Sequence, residues 1–149
     1  MKHTHTHFHF VRTNSLHAHC SIKEAYTPAT PCDVAIFTPP CFIQAVSETV
    51  GCTPGKSGIS CIGVQVGSEF TYYEAKGAYT GQVSAEMVQS LGCFWALAGH
   101  SERRTLFGDT DVEVNLQVKN LLSKGMGALL CIGETKEQYE AGIAGEICR

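Results

Sequence analysis

The chain has 149 residues, 44% of them hydrophobic and 17% charged, with a formal net charge of -3 at neutral pH. Those figures place it in the ordinary globular class and offer no basic stripe for nucleic acid. No run approaches the roughly 18 apolar residues that would span a bilayer, and the N-terminus lacks a secretory apolar segment, so neither a membrane nor a nucleic-acid partner is expected and the expected location is cytoplasmic.

Residues 1–19 read as a His/Thr-rich arm of low complexity, and six of the seven histidines fall within it. Alternation at period two would set His3, His5, His7 and His9 on one face of an extended segment, where neutral imidazoles can hold a transition metal. The plainer reading, an unstructured arm or a sequence artefact, is preferred, so no metal is expected. Phe8, Phe10 and Val11 could alternate as a first strand.

From Asp33 onward, short apolar runs alternate with helical spacing, which is the rhythm of βαβ units. Val34 to Phe37 is a candidate strand stopped by Thr38-Pro39-Pro40, and Phe42, Ile43, Val46 and Val50 then carry helical spacing. Residues 60–66 are a second strand. Ser84 is placed to cap a helix with Met87, Val88 and Leu91 on one face, and Gly92 is placed to end it. Residues 94–98 form a third strand. Asp109 or Asp111 can open the next helix, whose Val114, Val118, Leu121 and Leu122 share a face, with Gly125 as its stop. Residues 128–132 make a fourth strand and residues 136–141 begin a final helix. Strands this apolar need both faces covered, which is the condition of a parallel sheet.

Two patterns give way to simpler readings. Gly51-Cys52-Thr53-Pro54-Gly55-Lys56-Ser57 has one residue too few between its glycines for a phosphate-binding loop and precedes a strand instead of following one, so it reads as a Gly/Pro turn. The eight cysteines lie nine or more residues apart, with no C-x-x-C pair, and several, Cys61 and Cys131 among them, sit in apolar runs. They read as buried thiols, not as a disulfide or zinc framework.

His100 follows the apolar run of the third strand. In a barrel of parallel strands the side chains just past each strand's C-terminus face the active site. Glu102, Arg103 and Arg104 crowd charge into the same turn, and an ion-pair network that fixes the loop is the role expected of the two arginines.

Three stretches, Gly77-Ala78-Tyr79-Thr80-Gly81-Gln82-Val83-Ser84-Ala85-Glu86-Met87, Gly99-His100-Ser101-Glu102-Arg103-Arg104 and Cys131-Ile132-Gly133-Glu134-Thr135, together resemble the triosephosphate isomerase family, over residues 33–142. The resemblance implies an α/β fold, a partial TIM (β/α)8 barrel of about four parallel βα units, with residues 20–149 as a truncated barrel domain. It implies interconversion of dihydroxyacetone phosphate and glyceraldehyde 3-phosphate through an enediolate, in glycolysis and gluconeogenesis, without a cofactor. His100 matches the family's electrophile, a neutral imidazole that hydrogen-bonds the substrate oxygens. Ser101 and Glu102 match the shell beside it. Thr80, Gly81 and Gln82 match the loop that reaches into the partner's site in the family's homodimer, although the family usually carries glutamate where this chain has Gln82.

The family's first strand leads into an Asn-x-Lys turn, whereas this chain reads Phe10-Val11-Arg12-Thr13-Asn14-Ser15. The family's glutamate base, lid and phosphate loops belong to the second half of the barrel, and residues 143–149 leave the family pattern. The expectation is a family member too incomplete for efficient turnover. The alternatives are a non-catalytic fragment that pairs through its loop or open edges with itself or an intact isomerase subunit, or an incomplete gene model of the full enzyme.

Overall fold

The computed structural model describes residues 4–6, 34–51 and 64–148. Among them, five parallel strands form one sheet in chain order: β1 (Thr4–Thr6), β2 (Val34–Thr38), β3 (Val64–Ser68), β4 (Trp95–Ala98) and β5 (Gly127–Leu130). Parallel neighbours cannot be joined by a hairpin and need a crossover. After β2 comes a 3-10 turn (Pro40–Phe42), where proline at the first position supplies a preset φ, and then α1 (Ile43–Thr49). Helix α2 (Ala85–Ser90) links β3 to β4, α3 (Ser101–Leu106) and α4 (Asp111–Ser123) link β4 to β5, and α5 (Lys136–Glu140) and α6 (Ala144–Ile147) follow.

Local chemistry sets the helix ends. The Ser84 hydroxyl accepts the Met87 N–H at the start of α2. At α4, Thr110 and Glu113 form a reciprocal capping box, and Thr135 and Gln138 do the same at α5. Helices α2 and α4 are followed by Gly92 and Gly125, both at positive φ, where a side chain would be strained.

The two faces of the sheet are packed differently. On one, Ile36, Val64, Val66 and Ala96 meet Ile43, Val46 and Val50 from α1 and its end, Ala85 and Val88 from α2, Leu121 from α4, and Cys93 and Met126. Full burial of each larger aliphatic side chain contributes about 1.5–3 kcal/mol. On the other face, the strand register aligns Phe37, Gly67, Trp95 and Gly127 in a single row across β2 to β5. Large and absent side chains alternate along it. A Cβ on Gly67 would lie 2.4 Å from the Phe37 ring, and one on Gly127 would lie 2.4 Å from the Trp95 ring. Filling an interior layer from every second strand is how a barrel interior is packed. Gln117, buried on α4, donates its amide to the Leu97 carbonyl at 3.0 Å and ties that helix to β4.

The sequence expectations need correction in several places. The expected run of about four parallel βα units is present from β2 to β5, and among the described residues the His/Thr-rich segment, expected to be an unstructured arm, adds β1; Phe8, Phe10 and Val11 lie outside the described residues. Strand β3 continues through Gly67 and Ser68, past the expected end at 66, because Gly67 is the gap that admits the Phe37 ring; residues 60–63 of the expected strand lie outside the described residues. Strand β5 begins at Gly127 for the corresponding reason. Helix α3 was not expected at all. Of the four cysteines described, Cys93 is buried and Cys131 half-buried, but Cys41 and Cys148 are exposed free thiols; the reading of buried cysteines fails for those two, which sit at a turn and at a helix end. Apart from Gly51, the Gly/Pro-rich stretch at 51–57 lies outside the described residues. No helix among them is long and apolar enough to cross a membrane.

Candidate active site at the strand C-termini

The C-terminal ends of β2, β3, β4 and β5 open onto Pro39, Glu69, Gly99 and Cys131. His100 borders two cavities there. One, of about 240 Å³, is lined by Pro39, Glu69, Phe70, Leu97, Glu102, Arg103 and Phe107; the other, of about 430 Å³, by Ser101, Arg104, Leu130, Cys131 and Glu134 among others.

His100 is the N-cap of α3, with φ -54° and ψ 142°, and its Nδ1 accepts the Glu102 backbone N–H at 3.3 Å. A ring nitrogen that accepts a hydrogen bond carries no proton, so the proton of the neutral ring sits on Nε2. The Glu102 carboxylate lies 3.9 Å from the same Nδ1. An ion pair with it would require a proton on Nδ1, which conflicts with the capping bond; the capping bond is the shorter contact and fits the helix start. Ser101 opens α3, exposed, and its carbonyl accepts the Thr105 hydroxyl at 2.9 Å.

The charged residues beside His100 are held in place. Arg103 makes a two-pronged ion pair with Asp109, at 3.0 and 2.8 Å, and its guanidinium lies 3.9 Å from the Phe70 ring centroid and 4.5 Å from that of Phe107. This clamps the segment after β3 to the segment after α3. Arg104 donates from Nε to the Gly99 carbonyl at 2.8 Å and from Nη1 to Asp111 at 2.6 Å. Gly99 has φ +72°, and a Cβ there would lie 2.8 Å from an Arg104 guanidinium nitrogen. Burial raises the Cys131 thiol above its ordinary range, with Arg104 opposing.

Thr80, Gly81 and Gln82 lie elsewhere, on the exposed loop between β3 and α2. The Gln82 N–H donates to the Tyr79 carbonyl at 3.0 Å, closing a tight turn with Gly81 at φ +88°. Gln82 borders a third cavity, of about 520 Å³, with Tyr72, Glu74, Tyr79, Glu86 and Met87, and this cavity shares no lining residue with the two beside His100. The Tyr72 ring packs on Tyr73 and Tyr79, with centroids 4.3 and 4.8 Å away. A hydrogen bond with the Tyr73 hydroxyl, and then burial, push the Tyr72 phenol up to about 12.

The structure therefore gathers His100, Ser101 and Glu102 in one turn and sets Thr80, Gly81 and Gln82 apart. Sequence reasoning missed Glu69, Phe70 and Phe107 as neighbours of His100; the available signal was that Glu69 and Phe70 directly follow a strand, as His100 nearly does. Residues 10–15 lie outside the described residues, as do the side chains of the histidine-rich arm. Among the described residues, no group of three or more His, Cys, Asp or Glu side chains is placed to hold a metal.

Parallel strands in chain order, an interior layer filled from alternate strands and polar turns at the strand C-termini define a partial (β/α)8 barrel. A family model described as triosephosphate isomerase matches residues 7–149. The chain belongs to the triosephosphate isomerase family. The match extends beyond residues 33–142 at both ends: it begins inside the His/Thr-rich segment and, contrary to the sequence expectation, includes residues 143–149.

The chain is similar to the triosephosphate isomerase of Chlorobium chlorochromatii (strain CaD3), at 42% identity over 118 residues, 79% of this chain and 43% of that one. Against the triosephosphate isomerase of Prosthecochloris aestuarii (strain DSM 271 / SK 413), identity is 46% over 89 residues, 60% of this chain and 35% of the other. Against that of Chlorobium phaeobacteroides (strain BS1) it is 54% over 76 residues, 51% and 30% of the two chains. The matched regions thus span less than half the length of these relatives.

Proposed function

We propose that this chain serves the interconversion of dihydroxyacetone phosphate and glyceraldehyde 3-phosphate, through an enediolate and without a cofactor, with His100 as the electrophile and Ser101 and Glu102 beside it. The observation that carries this reading is the His100 ring just past the end of β4, with Nδ1 accepting the Glu102 N–H, which puts the proton of a neutral ring on Nε2. Aimed at a substrate carbonyl oxygen, Nε2–H strengthens its bond as negative charge builds on that oxygen in the enediolate; this role is the one known for the family. A cytoplasmic site of action belongs to the same reading.

The reaction also needs a base to take the carbon-bound proton and donors to hold the phosphate. The resemblance assigns neither role to a described residue, so the 149 residues alone are expected to turn over far below an intact enzyme. The test is an isomerase assay on the purified chain, coupled to a nicotinamide reporter, beside His100→Ala. Loss of about 10²–10³-fold in the variant is the size expected of one such donor and supports the reading. Equal activity in both removes His100 from the chemistry.

A second reading, association with a second copy or with an intact isomerase subunit, is favoured by the apolar side chains at the end of β5: Leu130 is 50% and Ile132 69% exposed. The exposed loop with Thr80, Gly81 and Gln82 is the other candidate contact in a homodimer. Gel filtration of the chain, alone and mixed with an intact isomerase, tests it: a larger or mixed species supports association, and a monomer in both runs counts against it.

A further inference from the structure

We propose that Tyr79 is a positioning residue for the exposed loop between β3 and α2, its ring serving as the small core around which residues 72–83 fold. The two ends of that stretch are tied through the backbone: the Tyr72 N–H donates to the Val83 carbonyl at 2.8 Å, and Tyr72 and Ser84 form a parallel bridge. Closed ends and an exposed tip make a compact surface loop of the kind that is packed by its own side chains. Past the base, backbone bonding is sparse. Among the described residues, none from Glu74 to Ala78 makes a hydrogen bond, and the bond from the Gln82 N–H to the Tyr79 carbonyl closes only the last turn.

The Tyr79 ring supplies the packing that this segment otherwise lacks. It lies against the Tyr72 ring at the base, with centroids 4.8 Å apart, and over Gly77 within the loop, where a Cβ would overlap it. Tyr72 is itself held, by its backbone bond to Val83 and by the contact of its ring and hydroxyl with those of Tyr73. One ring thus joins the base of the loop to Gly77, and Thr80, Gly81 and Gln82 follow it directly in the chain. A loop set in advance loses less conformational freedom when a partner docks on it. Its use in docking a second copy of this chain rests on the association reading; the role of the ring inside the loop does not.

The test is the rate at which trypsin cuts the folded full chain between Lys76 and Gly77, an exposed bond inside the loop, followed by mass. When the loop opens and closes faster than it is cut, that rate follows the population of the open form. Tyr79→Ala is expected to raise it about tenfold, the size of a lost aromatic contact, whereas Tyr79→Phe, which keeps the ring, is expected to match the wild type. A Tyr79→Ala chain that keeps the wild-type Trp95 emission and is cut no faster overturns the proposal, as does Tyr79→Phe cut as fast as Tyr79→Ala. So does a wild-type chain cut at Lys76 as fast as an unstructured peptide of residues 70–84, a comparison that holds even if Tyr79→Ala fails to fold. Gel filtration of the same chains keeps the two readings apart. Weaker association of Tyr79→Ala than of the wild type supports the docking role, and equal association of the two removes the ring from it. A wild-type chain that stays monomeric counts against association and leaves the cleavage result standing.

Discussion

The ring of Trp95 occupies the space in which a side chain at Gly127 would lie, with the two residues paired in register across β4 and β5. Gly127→Ala is therefore expected to destabilise the fold by about 1–3 kcal/mol through overpacking. Trp95 is the chain's single tryptophan, so its emission reads the change directly. Denaturant midpoints are expected to fall in Gly127→Ala and to recover part of the loss in Gly127→Ala/Trp95→Leu, where the ring has been removed.

The same row explains what could be read in advance. The βα alternation was legible because Ile36, Val64, Val66 and Ala96 recur at strand spacing against helical Val46, Val88 and Leu121. The C-terminal end of β3 and the start of β5 were not, since Gly67 and Gly127 look like breakers locally and are required only by aromatic rings on neighbouring strands. Helix α3 left no periodic trace: it has six residues and none is buried. His100 was legible from its place after a strand, whereas the bonds from Arg104 to the Gly99 carbonyl and to Asp111 depend on geometry that spacing does not reveal.

Gln117 donates to the Leu97 carbonyl inside the protein. Gln117→Met keeps the volume roughly constant but leaves that carbonyl without its amide partner, at an expected cost of about 1–3 kcal/mol. A fall in melting temperature without a change in far-ultraviolet signal is the outcome that fits; an unchanged melt would mean that the bond adds nothing net.

Acid should weaken the helix starts. Glu113 is held below its ordinary range by the Thr110 backbone N–H and then its hydroxyl, and Glu86 by its hydrogen bond and then its charge pair with Lys124. A carboxylate with a depressed folded-state pKa stabilises the fold above its unfolded value and loses that contribution as pH falls through the folded one. Between neutral pH and about pH 3 the urea midpoint should therefore drop, and the drop should be smaller in Glu113→Gln. An identical pH profile in the variant would remove Glu113 from the explanation.

Burial pushes the Cys93 thiol up to about 11. At neutral pH it is expected to resist an alkylating reagent in the folded chain, while the exposed Cys41 and Cys148 are modified. Peptide mapping by mass before and after denaturation checks this, and rapid labelling of Cys93 under native conditions would contradict its burial.

Each strand lies beside the one that precedes it in the chain, from β1 through to β5. During synthesis, an emerging strand and helix would thus meet a docking surface made by residues that left the ribosome just before them. Along the described sheet the wall can lengthen one unit at a time, each pairing being made between chain neighbours.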